Sequence, residues 1–114
     1  MKIFILEDSE NRIKMFKKHF KDHELDITKD ISTAKHLLST EVYDLICLDH
    51  DIDNDEYGSN DTGYDIAVFI KEKNIKTTVV LHTCNSIGAS RMGMVLPESH
   101  FLPFPLVLTR VSLN

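Results

Sequence analysis

The residues of this sequence that could perform chemistry begin where a short apolar run gives way to charged residues. The run at 45–48 is followed directly by Asp49, His50 and Asp51. A continuous apolar segment of this length predicts a buried strand, so the polar residues after it lie at the rim of a sheet. Two carboxylates beside an imidazole are costly to ionise unless a metal ion, a phosphate partner or a proton is shared among them. A solvated Asx-type turn is the alternative interpretation.

Glu7 and Asp8 form a second acidic group, directly after the apolar run at 3–6. One interpretation is structural, because carboxylates favour the N-terminus of a following helix. The other is that both acids face Asp49 and hold a hard divalent cation, Mg²⁺ or Mn²⁺, which prefers oxygen ligands. A single acid would be enough for the helix, so the pair favours a metal.

A third polar group follows a later apolar run. His82 is either a structural histidine or, beside His50, an acid or base, because imidazole titrates near neutral pH. Thr83 and Asn85 follow it. Asn85 is a plausible cap of the next helix, whose free backbone N–H groups can hold an anion. Arg91, in the same helix, either neutralises a phosphate or has a surface role.

Composition and charge limit the classes of protein and partner. The chain has 114 residues, 42% hydrophobic and 27% charged, as expected of one soluble globular domain. No apolar stretch reaches the ~20 residues that span a bilayer, which argues against a membrane partner. Cys47 and Cys84 are expected to be buried, reduced thiols of a cytoplasmic protein.

The net charge of −5 argues against an extended duplex nucleic acid as partner, but it is compatible with a small phosphorylated ligand or an RNA end. Basic side chains nevertheless crowd the first predicted helix. We interpret them as a solvated face, since exposed helix positions favour such residues. They are Arg12, Lys14, Lys17, Lys18 and Lys21.

Strands and helices are predicted to alternate along the chain. Strands are predicted at 3–6, 24–28, 45–48 and 77–81, followed by an extended piece at 100–102. An acidic loop is predicted from 49 to about 60, and an extended tail from about 103. Helices are predicted to begin at Ser9, at Asp30 or Ser32, at Asp61 or Thr62, and at Asn85 or Ser86, with the first ending near residue 22 and the last near 96.

This alternation predicts a parallel sheet covered on both faces, with right-handed crossovers. In such sheets ligands bind at the carboxyl ends of the strands, near the switch point in strand order. If the first, third and fourth strands are neighbours, the polar groups that begin at Glu7, Asp49 and His82 meet in one crevice. That convergence indicates a functional site more strongly than any single motif.

The order of these residues resembles the receiver domain of two-component signalling. Glu7 and Asp8 match its metal-holding acids, Asp49 its phosphoacceptor and Thr83 its hydroxyl residue. The chain departs from receivers after the fifth strand, where they carry Lys-Pro and this sequence reads FLPFP at 101–105. That departure counts against phosphoacceptor signalling.

A closer likeness is the cyclic-phosphate processing receiver domain family. Its L-D-H-D strand end corresponds to 48–51, its T-G-Y-D helix start to 62–65, and its H-[ST]-x-N stretch to 82–85. The resemblance implies an α/β, flavodoxin-like, doubly wound parallel five-stranded sheet in the order 2-1-3-4-5. The final helix is predicted to be missing, because nothing after residues 106–108 reads as a full fifth helix. It also implies an enzyme that acts on cyclic phosphates, either 2′,3′-cyclic RNA ends or cyclic nucleotides.

We therefore predict a single receiver-like domain, residues 1–114, that acts as a metal-assisted phosphoesterase, a phosphoric ester hydrolase. A degenerate receiver serving as a signalling or binding module and a non-catalytic cyclic-nucleotide-binding protein are the alternatives. The tail could also pair at a sheet edge in a homodimer. The site residues divide by role into Glu7, Asp8 and Asp49 for the metal, His50, His82 and Asp51 for catalysis, and Thr83, Asn85 and Arg91 for the substrate.

Overall fold

The computed structural model describes residues 1–51 and 62–111 of the chain. Most of the predicted acidic loop, from position 52 onward, therefore lies outside the described residues, as does Asp61. None of the described helices is long and apolar enough to cross a membrane. The elements, in chain order, are β1 (Lys2–Leu6), α1 (Glu10–His19), β2 (Glu24–Thr28), α2 (Ile31–Thr40), β3 (Leu45–Leu48), α3 (Gly63–Glu72), β4 (Thr78–Leu81), α4 (Ser86–Val95), β5 (His100–Phe101) and α5 (Leu106–Arg110).

The strands form one parallel sheet in the order β2-β1-β3-β4-β5, which confirms the predicted flavodoxin-like topology. The register between the three central strands positions the site. Leu6 pairs with Leu48, and Leu48 pairs with Leu81. These strands therefore end at the same level, and the residues that follow them leave the sheet side by side.

Both faces of the sheet are covered by helices, so the central strands β1, β3 and β4 are nearly continuous apolar runs. On one face Ile3 and Ile5 pack with Phe16 of α1 and with residues of α5. On the other face Phe4 and Leu6 pack with apolar residues of α2, α3 and α4. Successive strand residues thus point to opposite helical layers.

The helices begin largely as their sequences predict. The predicted N-cap residues accept hydrogen bonds from backbone N–H groups of the first turn, namely Ser9, Asp30, Thr62 and Asn85. Thr62 also forms a reciprocal capping box with Asp65. Helix α1 ends at His19, short of the predicted end near residue 22, and the next residue, Phe20, is buried in the core.

The segment after β5 corrects the sequence prediction. Instead of an extended tail without a final helix, Leu106–Arg110 forms the short helix α5. Val107 and Leu108 are buried in the cluster that contains Phe16, and Val111 packs against the same cluster. A helical turn brings these three side chains to one side, whereas a strand would alternate them. Packing therefore overrides the β propensity of this run.

Candidate functional site

Three polar residues leave the sheet together at its carboxyl edge. Backbone hydrogen bonds extend the register one residue beyond the strands: Asp49 N–H donates to the Leu6 carbonyl over 3.2 Å, and His82 N–H donates to the Leu48 carbonyl over 2.9 Å. By strand alternation Glu7, Asp49 and His82 point toward the layer of α1 and α5. One ligand atom from each of the three lies within 4.8 Å of the others.

Glu7 and His82 form a buried hydrogen-bonded pair. His82 Nε2 donates to Glu7 Oε1 over 3.0 Å, and both side chains are fully buried. The other carboxylate oxygen accepts the backbone N–H groups of Asp8 and Ser9, both at 3.1 Å. Burial alone would raise the pKa of Glu7, but these hydrogen bonds, with that from His82 the largest, lower it below its ordinary value. Glu7 is therefore a carboxylate at neutral pH.

The His82 ring is locked in place by its neighbours. It lies edge-on to the Phe16 ring, with 5.1 Å between the centroids. Its Nε2 hydrogen bond to Glu7 leaves Nδ1 with no hydrogen-bond partner among the described residues. These contacts agree with a structural role for His82. A nitrogen of its ring nevertheless lies within the cluster that it forms with Glu7 and Asp49.

Asp49 is buried beside a second negative charge. Burial first, and the charge of Glu7 second, raise its pKa to about 6, although the Thr83 hydroxyl and the His50 backbone N–H favour the charged form. The His50 N–H donates to Asp49 Oδ1 over 2.9 Å. A divalent cation would neutralise this pair of carboxylates, and oxygen donors are those that Mg²⁺ and Mn²⁺ prefer. The donor set therefore fits the predicted metal.

His50 points to the opposite helical layer, as strand alternation predicts. Its Nδ1 lies 2.9 Å from Asp51 Oδ1, and Asn85 Nδ2 donates to both Asp51 oxygens over 3.3 Å. The hydrogen bond from His50 is the main cause that lowers the pKa of Asp51 below its ordinary value. In the neutral imidazole, a proton on Nδ1 facing this carboxylate leaves the lone pair on Nε2.

Two glycines make room for this arrangement. A Cβ on Gly88 would lie 2.4 Å from Cγ of His50, so the imidazole rests where only a glycine of α4 leaves space. A Cβ on Gly63 would lie 1.8 Å from the Asp49 carbonyl oxygen. The start of α3 and the first turn of α4 therefore both press against the end of β3.

An open cleft of about 500 Å³ lies at this edge. Asp8, predicted as a metal ligand, lines it, although the tight cluster contains His82 in its place. Neither imidazole is among the residues that line the cleft. The lining residues are Glu7, Asp8, Ser9, Arg12, Asp49, Asp51, Thr83, Cys84 and Asn85.

Of the three residues predicted to bind the substrate, two lie at the cleft and one does not. The Thr83 hydroxyl is buried and accepts the Asn85 N–H over 3.1 Å, while Asn85 Oδ1 accepts the Gly88 N–H over 2.9 Å. Both residues thus shape the start of α4. Arg91 is exposed and its guanidinium stacks 5.4 Å from the centre of the Tyr64 ring, so the structure does not bring it into the cleft.

Arg12 is the residue that sequence reasoning missed. It was interpreted as part of a solvated basic face, yet its Nη1 lies 3.8 Å from Glu7 Oε1 and 4.0 Å from Asp49 Oδ2. One signal was available. A cation in the first turn of a helix opposes the helix dipole, and here that turn follows β1 directly. Such a residue indicates acidic partners at the strand ends.

The cysteines differ from each other. Cys47 is buried, and burial raises the pKa of its thiol to about 12, as expected of an inert core residue. Cys84 is exposed, contrary to the sequence expectation, because it follows β4 at the rim of the cleft.

Comparison with known proteins agrees with this geometry. Residues 1–98 match the family described as the cyclic-phosphate processing receiver domain. None of the curated proteins compared with the chain matches its sequence.

Several solved structures with the same fold are receiver domains or response regulators. The receiver domain of an HD domain-containing protein from Pseudomonas fluorescens Pf-5 is 16% identical, with a TM-score of 0.76 over 96% of this chain and 90% of that one. The receiver domain of the Francisella response regulator 1452 is 18% identical, with a TM-score of 0.73 over 96% of this chain and 88% of that one. The response regulator TrrA from Thermotoga maritima, in complex with Mg(2+)-BeF, is 20% identical, with a TM-score of 0.72 over 91% of this chain and 88% of that one. At these identities the likeness concerns the fold.

Proposed function

This chain belongs to the cyclic-phosphate processing receiver domain family, and from that premise we propose that it is a metal-assisted phosphoesterase that acts on cyclic phosphates. Its substrates would be 2′,3′-cyclic RNA ends or cyclic nucleotides. The observation that supports this most is the buried pair of Glu7 and Asp49 at the base of an open cleft. Two buried carboxylates without a full counter-charge are stabilised by a cation.

Glu7 and Asp49 would hold Mg²⁺ or Mn²⁺, with Asp8 reaching it from the cleft wall. When bound, the ion supplies positive charge to a phosphoryl oxygen and lowers the pKa of a bound water. The Mg(2+)-BeF complex of the structural relative TrrA supports Mg²⁺ as the ion. His82 keeps the Glu7 carboxylate oriented through its 3.0 Å hydrogen bond.

Proton transfer is assigned to His50, whose hydrogen-bond partner Asp51 lines the cleft. Asp51 fixes its Nδ1–H tautomer, and Asn85 holds Asp51 in turn, so that Nε2 is left to accept a proton from water or return one to the leaving oxygen. His82 was expected from the sequence to share this role. Its complete burial and its bond to Glu7 lead us to assign it to positioning instead.

The phosphoryl group would lie between the carboxylate cluster and the start of α4. Thr83 accepts the Asn85 N–H and Asn85 accepts the Gly88 N–H, which leaves the backbone N–H groups of Ser86 and Ile87 for an anion. Arg91 has no part in this assignment, because it stacks on Tyr64 away from the cleft.

The test is turnover of 2′,3′-cyclic AMP and 3′,5′-cyclic AMP with Mg²⁺ or Mn²⁺, with products resolved by phosphorus NMR. We expect hydrolysis by the wild type and a loss of about 100-fold or more in His50→Ala, the usual contribution of general acid–base catalysis. Asp49→Asn should be inactive. His36→Ala removes an exposed histidine and serves as the matched control, with unchanged turnover.

A receiver-type binding module is the second candidate, because Asp49 directly follows β3 on a receiver fold. Incubation with a small phosphodonor separates the two. An acid-labile mass increase that Asp49→Ala loses, without any cyclic-phosphate turnover, would favour the module. Stoichiometric binding of a cyclic nucleotide without turnover would instead indicate a sequestering protein.

A further inference from the structure

We propose that Arg12 is the anion-binding residue of the cleft, and that it couples the binding of the metal to the binding of the phosphoryl anion. The proposal rests on the metal and phosphate ligands of the proposed function. Arg12 is the one lysine or arginine that lines the cleft among the described residues. Its side chain is 29% exposed, so it is open to a ligand.

Contacts with the described residues hold the guanidinium of Arg12 in place but do not use all of its N–H donors. Its carbon lies 5.0 Å from the centre of the Phe104 ring, and Nη2 lies 3.5 Å from the Cys84 sulfur, a weak acceptor. Nη1 lies 3.8 Å from Glu7 and 4.0 Å from Asp49, and both distances are too long for hydrogen bonds. The planar guanidinium is therefore fixed in the wall of the cleft, and some of its N–H donors remain for a bidentate contact to an anion.

The same distances place Arg12 in competition with a cation. The carboxylate oxygens that it faces are those of the cluster that would bind the metal. A divalent ion there would lie within a few ångströms of the guanidinium and be repelled by it. A phosphoryl anion between the two positive charges removes the repulsion and gains hydrogen bonds from Arg12. Metal alone is thus disfavoured by Arg12, and metal with anion is favoured.

If Arg12 has this role, its removal should change the affinity for the metal and the affinity for the anion in opposite directions, and this is the test. Mn²⁺ is titrated calorimetrically into the wild type, Arg12→Gln and Arg12→Lys, first alone and then with inorganic phosphate or 2′,3′-cyclic AMP. Without anion, Arg12→Gln should bind Mn²⁺ about fivefold more tightly, at the low end of ordinary coupling between sites. With Mn²⁺ present, it should bind either anion about tenfold more weakly, since a hydrogen bond to a charged group is lost.

Two further variants make the result decisive. Lys14→Gln removes the same charge from an exposed position of α1 and should change neither affinity. Arg12→Lys keeps the charge, so it should bind Mn²⁺ as the wild type does while losing part of the anion affinity. It also provides the comparison if Arg12→Gln fails to fold, which circular dichroism would reveal.

The outcomes separate this proposal from the proposed function. Affinities for Mn²⁺ and phosphate that match Lys14→Gln, or no Mn²⁺ binding at all, would overturn the role of Arg12. Turnover of 2′,3′-cyclic AMP with unchanged KM in Arg12→Gln would overturn it too, while leaving the phosphoesterase intact. Arg12-dependent binding of phosphate with no turnover of any cyclic phosphate would support Arg12 and reject the phosphoesterase.

Discussion

Glu7 and Asp49 are held together in the fold at an electrostatic cost. Each is buried, and the negative charge of Glu7 is one of the two causes that raise the pKa of Asp49. Burial of like charges is unfavourable unless a cation or a proton is shared. A functional site can retain such a cost, because binding of the cation relieves it.

Neutralising Asp49 should therefore stabilise the protein when metal is removed by a chelator. For Asp49→Asn at pH 8 we expect the free energy of unfolding to rise by about 3 kcal/mol, since the pKa is raised by about two units and one unit corresponds to about 1.4 kcal/mol. Asp22→Asn removes an exposed carboxylate and should change it little. Added Mg²⁺ should raise the melting temperature of the wild type but not that of Asp49→Asn. A loss of stability in metal-free Asp49→Asn would contradict this account.

The burial of Asp49 beside Glu7 also predicts how the free energy of unfolding depends on pH. The pKa of Asp49 is raised from 3.8 to about 6, so the folded state binds more protons than the unfolded state between these values. Its contribution to stability is full below pH 3.8 and is lost as the pH rises through 6. The stability advantage of Asp49→Asn over the wild type should accordingly grow from about pH 4 to pH 6 and then level off. Denaturant unfolding in chelator measures it, and an advantage that does not change with pH would reject this assignment.

Helix α4 shapes the site both by the side chains that it carries and by the absence of a side chain at Gly88. Gly88 leaves the space that the His50 ring fills, whereas a Cβ on Gly93, later in the same helix, would meet nothing within 4 Å. Both lie inside α4, where glycine costs about 0.5–1 kcal/mol relative to alanine. The two positions therefore differ mainly in contact with the site.

Alanine at these two positions should give contrasting results. Gly93→Ala should raise stability by about 0.5–1 kcal/mol and leave turnover unchanged, because helix propensity improves without a clash. Gly88→Ala should displace the His50 ring and lower turnover by about tenfold or more, an expected consequence of misplacing a catalytic group. Thermal unfolding and the phosphorus NMR assay measure both effects. Equal turnover in the two variants would show that the position of His50 does not matter.

The architecture of the described residues was largely predictable, because β1, β3 and β4 are nearly continuous apolar runs and good N-cap residues precede most helices. The parallel register then aligns Leu6, Leu48 and Leu81, and it brings together the polar residues that follow them in the chain. What the sequence could not give depends on packing between distant segments. Arg12 enters the cleft because α1 begins at the carboxyl ends of the strands, with Phe104 from beyond β5 beside it. The C-terminal helix likewise exists because the core accepts Val107 and Leu108 together.

The predicted homodimer stays a prediction, and the structure changes which surface it would use. The tail that was expected to pair is folded into α5. One edge of the sheet is β2, and the other edge, which precedes α5 in the chain, is β5, a strand of two residues, His100–Phe101. Very short edge strands limit pairing between molecules. Light scattering during gel filtration, across a range of protein concentrations, measures the mass of the species in solution.

The central claim is that the carboxyl edge of this sheet holds a metal with which the protein opens cyclic phosphates. One phosphorus NMR time course tests it most directly. The wild-type protein is mixed with 2′,3′-cyclic AMP in chelator, and Mg²⁺ is then added in excess to the same sample. We predict that the cyclic resonance persists until the metal is added and is then replaced by that of a monophosphate ester. Persistence of the cyclic resonance after Mg²⁺ and then Mn²⁺, or its full conversion in chelator, would contradict the account.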